Sequence, residues 1–366
     1  MPRIPTKVLI KAYQETPLLP LLLQECRTLV SARNELRWLR ERALRDSQSS
    51  RLGSPGWRTR LRSMCQQRSR GVPLQYILGD QPFGDLEILC QRGVLIPRSD
   101  TESYTFQAAK RLRQMALESK NDTPSPRRRR PLRVLDLCTG TGCIALLLHA
   151  LLAPNFQDMQ ILGIDISPTA LKLAQRNLAH NMHRALLTDR ALTQIHFHRA
   201  DVLGVGDESA PVPTTQEVLQ DYFPRLGNPG GSSEFECDLL ISNPPYISTA
   251  DFRNGTTSRS VRRFEPRLAL VPPSIPQSAM PEDCNMEDIF YHRILTLSLQ
   301  SQAKLTVLEC GDIMQAHRVV AMYQTMTTEQ AKGFTMEVWP SSEQDLAANG
   351  FHPHDGSRCV IIQRVR

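Results

Sequence analysis

No apolar run in these 366 residues approaches the length of a membrane-spanning helix, so neither a helical span nor a membrane partner is expected. Aromatic residues make up only 6% of the chain. That is sparse for a surface built to stack flipped bases, and with no RNA-binding module in view a stable nucleic-acid partner is not expected. Nine cysteines (Cys26, Cys65, Cys90, Cys138, Cys143, Cys237, Cys284, Cys310 and Cys359) form an odd set without a C-x-x-C pair. They fit a reducing compartment and offer no zinc site. His196-x-His198 and His352-x-His354 alternate in a way that suits metal chelation. Neither has a cysteine or acid cluster to complete it, and no metal is expected. The glycine-bearing turn at 138–142 is not a full G-x-G-x-x-G and lacks the Gly-Lys-Ser/Thr of a P-loop, which argues against a triphosphate ligand. The chain carries no internal repeat.

What is present is a chain 40% hydrophobic and 22% charged, long enough for a large core and two domains. Its most informative stretch is Asn243-Pro244-Pro245-Tyr246, which follows the buried-strand pattern Cys237-Asp238-Leu239-Leu240-Ile241-Ser242. A planar amide or base nitrogen is a poor nucleophile, and an enzyme that uses one must accept hydrogen bonds from its N–H groups. The Asn243 side-chain carbonyl and the Pro244 backbone carbonyl are suited to that task. Two prolines fix φ and supply no N–H, which stiffens the turn, and Tyr246 adds a flat wall.

Upstream, Arg133-Val134-Leu135-Asp136-Leu137 reads as a buried parallel strand running into Cys138-Thr139-Gly140-Thr141-Gly142 and then an apolar helix from Cys143 to Leu152. Strand, glycine turn and helix N-terminus make the nucleotide-binding corner of a doubly wound sheet. A second strand ends in Asp165, placed to accept ribose hydroxyls, and Ser167-Pro168 opens the next helix as N-cap and N1. A third, from Ile195 to Ala200, ends in Asp201, with an adenine base expected near Asp201-Val202. Acids ending successive strands suit an adenosyl group and favour S-adenosylmethionine as cofactor.

With these signals stand Gly71-Val72-Pro73-Leu74-Gln75-Tyr76-Ile77-Leu78-Gly79, Phe83, Ile96-Pro97-Arg98-Ser99-Asp100-Thr101-Glu102, Phe264-Glu265-Pro266 and Leu308-Glu309-Cys310-Gly311. Across residues 71–311 the chain resembles the HemK/PrmC protein-glutamine N5-methyltransferases, which modify the glutamine of the Gly-Gly-Gln motif in class I peptide-chain release factors. The resemblance implies an α/β fold, a class I methyltransferase with a Rossmann-like, seven-stranded sheet, joined by a β-hairpin to a small N-terminal helical domain. It implies a release factor as protein substrate, and Phe83, Arg98 and Thr101 at the border of the cofactor pocket. Two positions depart from the family: Cys138 stands where glycine is common and Ser99 where proline is usual. A small side chain at 138 suits close cofactor approach if φ there is negative. Two other readings stay open: an amino-methyltransferase of adenine or guanine in RNA or DNA, and a non-catalytic module that keeps the fold.

The expected domains are residues 1–73 as a helical substrate-recognition unit, 74–130 as hairpin, helix and basic linker, and 131–366 as the catalytic domain. Leu18, Leu22, Cys26 and Leu29 share one helical face, and Leu36, Leu39, Ala43 and Leu44 another. Residues 47–56 read as a turn-rich break, and 74–96 as strands with a turn over 80–84. Residues 127–130 read as a solvated arginine run, with 204–236 and 271–283 as insertions. Closing strands are expected over 304–310, 334–339 and 358–365. The net charge of +7 is compatible with a partner that works on the ribosome. Arg3, Lys7 and Lys11 fall on one helical face with no acid before Glu15, a presequence-like pattern opposed by Pro2 and Pro5. A monomer in mitochondria, or alternatively the cytoplasm, is expected.

Overall fold

The computed structural model describes residues 3–48, 55–118, 130–204, 212–222, 235–276, 278, 280–282, 284–327, 333–340 and 358–365. Apolar residues at helical spacing gather the first four helices into a bundle: α1 (Thr6–Glu15), α2 (Leu19–Cys26), α3 (Leu29–Gln48) and α4 (Trp57–Ser69). Leu22, Leu23, Ala32, Leu39, Ala43 and Cys65 are fully buried in it. Each buried leucine contributes about 1.5–3 kcal/mol over leaving it in water. Pro5 precedes the first turn of α1, where a missing N–H costs nothing, so it starts this helix instead of opposing it, and Ala12 is drawn into the bundle core.

The next segment departs from the expected strands. Residues 74–78 form a short helix, α5 (Leu74–Leu78), whose Leu74, Ile77 and Leu78 pack on the bundle. One and a half turns are too few to show a helical period. The hairpin follows as β1 (Asp80–Phe83) and β2 (Leu86–Leu89), so its turn lies at Gly84-Asp85 and residues 80–83 are strand. Gly84 has φ +57, and a Cβ there would sit 2.6 Å from Leu147 Cδ1. Only glycine fits.

The sheet-bearing part of the chain is preceded by α6 (Ser99–Glu118) and alternates β3 (Leu132–Leu137), α7 (Cys143–Leu152), β4 (Met159–Asp165), α8 (Pro168–His183), α9 (Ala191–Gln194), β5 (Ile195–Arg199) and α10 (Thr215–Tyr222). It continues with β6 (Leu239–Ser242), α11 (Thr249–Asn254), α12 (Arg259–Phe264), α13 (Ile289–Gln300), β7 (Leu305–Cys310), α14 (Ile313–Met326), β8 (Phe334–Trp339) and β9 (Arg358–Arg364). Seven strands make one sheet in the order β5-β4-β3-β6-β7-β9-β8. The first five run parallel, and β9 is antiparallel to both β7 and β8. Helices α6 and α7 cover one face and α13 and α14 the other. That explains why β3, β6 and β7 read as near-continuous apolar runs. This is the doubly wound, seven-stranded methyltransferase architecture expected from the sequence.

Two expected surface segments are partly interior. Within 204–236, Thr215, Val218 and Leu219 of α10 are buried in the core, and the rest of that stretch lies largely outside the described residues. Arg130, the one described residue of the arginine run, forms a two-point contact with Asp238 (2.6 and 3.0 Å) instead of facing solvent alone. His352 and His354 also lie outside the described residues.

The hairpin is fastened by amide side chains. An isolated two-stranded ribbon leaves one edge of each strand unpaired. Asn177 and Asn181, one turn apart on α8, stand against β2: Asn177 Oδ1 accepts from Leu89 N (2.7 Å) and Asn181 Oδ1 from Glu87 N (3.0 Å). Their amide N–H groups return to Leu89 O and Glu87 O, and Asn177 also donates to Thr141 O (2.9 Å) in the glycine turn. The same residue therefore ties hairpin to turn. Asn177→Ala is expected to lower unfolding stability by about 1–3 kcal/mol for each buried group left unmet, read as a reduced urea midpoint.

Candidate active site at the carboxyl ends of the sheet

Strand order changes direction between β3 and β6, which is where a doubly wound sheet opens a crevice. The register decides what stands there. Leu137 pairs with Ile164 on one side and Ser242 on the other, and Ser242 pairs with Leu308. The residues one step further on, Asp165, Cys138, Asn243 and Glu309, therefore lie in a row across four neighbouring strands.

On the cofactor side the turn after β3 is held by its own backbone and by acids. Thr139 N donates to Ile164 O (2.9 Å), and Gly142 N to Thr139 O (2.8 Å). Asp165 Oδ2 accepts from Gly140 N (2.9 Å) and Oδ1 from Ser167 N (2.8 Å). Burial raises its carboxyl above the usual range against these N–H donors. Below the turn, the fully buried Asp136 accepts from Thr139 Oγ1 at 2.5 Å, and burial pushes its carboxyl up to about 7. Gly142, at φ +78, lies so close to Ala174 and Phe197 that a Cβ would meet both at 3.0 Å. Gly140, at φ +56, faces open space, with nothing nearer to a Cβ than Cys138 O at 3.9 Å. One glycine serves packing and the other leaves room above the turn. Asp201 is buried and accepts from Leu203 N (2.9 Å), beside the buried Val202. Asp165 keeps lone pairs for further donors, since an ionised carboxylate has about four acceptor positions. An open glycine turn flanked by two carboxylates fits a nucleoside with ribose hydroxyls.

At the ends of β6 and β7, Asn243 Nδ2 donates to Thr101 Oγ1 (3.0 Å), and no described residue donates to its Oδ1. Thr101 Oγ1 donates to Glu309 Oε2 (2.6 Å), and the Tyr246 hydroxyl to Glu309 Oε1 (3.4 Å). Tyr246 lies over Gly311, where a Cβ would come within 3.1 Å of the ring. Pro244 and Pro245 are buried behind it. In front of Asn243 and Tyr246 opens a cleft of about 600 Å³, bordered by Arg98, Val261, Gly311 and Arg318. Arg98 Nη2 donates to Glu265 Oε1 (2.7 Å), and Ile96 N to the other oxygen (3.1 Å). Two sequence runs far apart in the chain thus close on each other as one wall.

The structure gathers Thr101, Cys138–142, Asp165, Asn243 and Tyr246 at the crevice, with Arg98 on the cleft. It corrects two placements. Phe83 has no exposed surface and belongs to the apolar core with Ala108 and Leu147, not to the lining of the cleft. Cys138 has φ +59, not the negative value its side chain would favour. That left-handed conformation is the physical reason for glycine at this place, and cysteine holds it at a cost of about 1–3 kcal/mol. Burial and Asp165 keep its thiol well above its ordinary value, so it stays protonated. Glu309 stands in the Leu308-Glu309-Cys310-Gly311 run with no role that the sequence alone assigns. The rule applied to Asp165 and Asp201, an acid ending a parallel strand, would have found it.

A family model described as "Methyltransferase domain" matches residues 129–223. The chain is 36% identical over 271 residues to "Mitochondrial MRF1 N(5)-glutamine methyltransferase MTQ1" of Saccharomyces cerevisiae, covering 74% of this chain and 68% of that protein. It is 32% identical over 337 residues to "Probable MRF1 mitochondrial N(5)-glutamine methyltransferase mtq1" of Schizosaccharomyces pombe, covering 88% and 89%. The "Release factor glutamine methyltransferase" of Chlorobaculum tepidum is 36% identical over 58% of this chain and 57% of its own length. Among solved structures, the N-terminal domain of human METTL16 aligns over 91% of this chain and 94% of its own with a TM-score of 0.45 at 15% identity, and nothing about substrate follows from it.

The Cys138 backbone sets a prediction. Cys138→Gly is expected to stay within about 1 kcal/mol of the parent, since relief of strain offsets the greater chain entropy of glycine. Cys138→Val is expected to lose about 1–3 kcal/mol, because a β-branched side chain resists positive φ. Thermal unfolding of the two variants checks the ordering.

Proposed function

We propose one activity for this chain, which belongs to the family of release factor N(5)-glutamine methyltransferases: it methylates the side-chain amide nitrogen of the glutamine in the Gly-Gly-Gln motif of a class I release factor. The observation that carries this reading is the Asn243 amide, which lines the cleft with its NH2 engaged by Thr101 and its carbonyl without a donor among the described residues. A carbonyl held there accepts an N–H of the incoming glutamine and turns the nitrogen toward the cofactor. The Pro244 backbone carbonyl is assigned the second N–H, and Tyr246 the flat wall against which the amide lies.

The cofactor assigned to the crevice is S-adenosylmethionine, whose sulfonium supplies an activated methyl and keeps the electron pair of the broken carbon–sulfur bond. The turn 138–142 would hold its polar chain, Asp165 its ribose hydroxyls, and Asp201-Val202 its base. Little remains for the protein beyond approximation and orientation, which at best lower a barrier by about 7–11 kcal/mol. As the nitrogen–carbon bond forms, positive charge grows on the nitrogen, and the carbonyls of Asn243 and Pro244 stabilise it. The nitrogen then loses one proton to water, so no dedicated base is needed.

Two relatives are named as mitochondrial enzymes, and we assign this chain to the same compartment, acting as a monomer on a mitochondrial release factor. A fluorescent fusion of the full chain is expected to co-localise with a matrix marker. A signal confined to the cytosol would overturn that assignment.

Labelled S-adenosylmethionine offered with a release factor and with total RNA tests the activity itself. Label is expected in the release factor and lost when its Gly-Gly-Gln glutamine is replaced, whereas label in RNA alone would sink the reading. Asn243→Ala is expected to reduce turnover by about a hundredfold or more while cofactor affinity stays within a few-fold, since the lost contact acts mainly at the transition state. Near-normal turnover would remove Asn243 from the mechanism.

A further inference from the structure

Glu309 ends β7 beside Asn243 and is only 3% exposed, a carboxyl group sunk beneath the acceptor pocket. A buried carboxylate is costly unless donors reach it. It has the Thr101 hydroxyl at 2.6 Å and the Tyr246 hydroxyl at 3.4 Å. A threonine hydroxyl owns one proton. Once that proton is committed to Glu309, Thr101 Oγ1 can only accept, and it accepts the Asn243 Nδ2–H at 3.0 Å. The two ends of a primary amide are nearly alike in shape, so partners alone decide which way it faces. We propose that Glu309 is a positioning residue: through the Thr101 hydroxyl it fixes the Asn243 amide with its carbonyl toward the acceptor glutamine. This rests on the reading of Asn243 as the group that orients that glutamine.

The direction of the relay depends on the charge of Glu309. An ionised carboxylate draws the Thr101 proton and leaves the oxygen lone pairs to Asn243. A protonated one donates to Thr101 instead, which frees the threonine proton to turn to the asparagine and draws the amide carbonyl out of the pocket. Groups facing Glu309 are Arg98, Asp100 and Tyr104 at the start of α6, Tyr246 above it, Cys143 of α7, Tyr291 of α13, its neighbour Cys310, and Cys359 opposite it on β9. Tyr291 donates its hydroxyl to the Glu309 backbone carbonyl (2.7 Å), leaving the carboxyl to Thr101 and Tyr246. Burial pushes the Glu309 carboxyl up to about 7; the Thr101 hydrogen bond and Arg98 oppose the rise, and Asp100 adds to it. The same burial raises the tyrosines Tyr104 and Tyr291 and the cysteines Cys143, Cys310 and Cys359, which stay neutral across that range. Turnover therefore falls as pH drops through the Glu309 titration.

The test measures methyl transfer by the full chain to a release factor, with cofactor and release factor saturating, across pH about 5.5–8.5. Thr101→Val, nearly the same shape without the hydroxyl, is expected to lower the rate at the alkaline end by about ten- to a hundredfold, equivalent to one lost charge-assisted hydrogen bond. Thr101→Ser, which keeps the hydroxyl, is expected to restore the rate to within about threefold of the unaltered protein. In Glu309→Gln, which cannot titrate, the fall in rate toward acid is expected to shrink or shift its midpoint, Asp136 beneath the glycine turn being the other carboxyl raised to about 7. Should Thr101→Val fail to fold, as judged by thermal melting, Glu309→Gln carries the test alone. A wild-type rate in Thr101→Val, or the same acid limb at the same midpoint in Glu309→Gln, overturns the proposal. So does a lowered melting temperature with an unchanged pH profile, which marks a structural role only. If the unaltered protein leaves the release factor unlabelled, the assigned function itself fails and the positioning role falls with it; unaltered rates in the variants alone refute only Glu309.

Discussion

The register of four parallel strands is the constraint on which the site depends. Leu137 is aligned with Ile164 and Ser242, and Ser242 with Leu308, so the residue after each lands at one level. Neighbouring strands lie roughly 4.8 Å apart, which sets Asp165 and Glu309 about 14 Å from each other with Cys138 and Asn243 between. Read across the sheet, this order runs from the group assigned to the ribose, past the turn, to the group assigned to the acceptor amide and the acid behind it. A slip of one residue in β6 would send Asn243 to the opposite face. The apolar side chains on both faces oppose such a slip, since it would carry Leu240 from one packed core to the other and Leu239 and Ile241 the opposite way.

That row places carboxyl groups where water is scarce, and each is met by donors instead of a full counter-charge. Asp165 takes backbone N–H groups, Asp136 the Thr139 hydroxyl, and Glu309 two hydroxyls. Neutral donors satisfy a buried acid without cancelling its field, which leaves a negative potential at the crevice. A cationic sulfonium and a nitrogen gaining positive charge both belong in such a place. The cost is a set of carboxyl groups raised above their ordinary range, and Glu309 and Asp136 are raised far enough to titrate near neutrality.

The sheet was legible because strand runs, the glycine turn and strand-end acids are local patterns: 334–339 and the Ser167-Pro168 helix start fall where periodicity and capping place them. Boundaries failed where local signal is thin, as in the five residues of α5 and in Pro5, whose helix-starting role resembles a break. What could not be read were partners distant in sequence. Asn177 and Asn181 look like ordinary polar residues of an amphipathic helix until β2 lies beside them, and Arg98 meets Glu265 across a separation of 167 positions in the chain. The φ of Cys138 was equally hidden: a turn sequence tolerates either sign, and only the bonds from Thr139 and Gly142 select the left-handed one.

The acceptor loop leaves little else adjustable. Two prolines fix its φ angles, Ser242 Oγ donates to Leu137 O (2.8 Å), and Ile247 N donates to Leu270 O (2.9 Å). Between them, Gln315 Nε2 reaches Tyr246 O (3.2 Å) while its own oxygen accepts from Gly311 N (2.8 Å). Gln315 also donates to Asp288, which Arg318 holds by two nitrogens from the rim of the cleft. A backbone tied at both ends and at its middle cannot swing to suit a misplaced substrate. Within such a frame the Asn243 amide can still turn about its last bond. Orientation is worth several kcal/mol in a transfer of this kind, so in the proposed reading the Thr101 hydroxyl counts with the asparagine it holds.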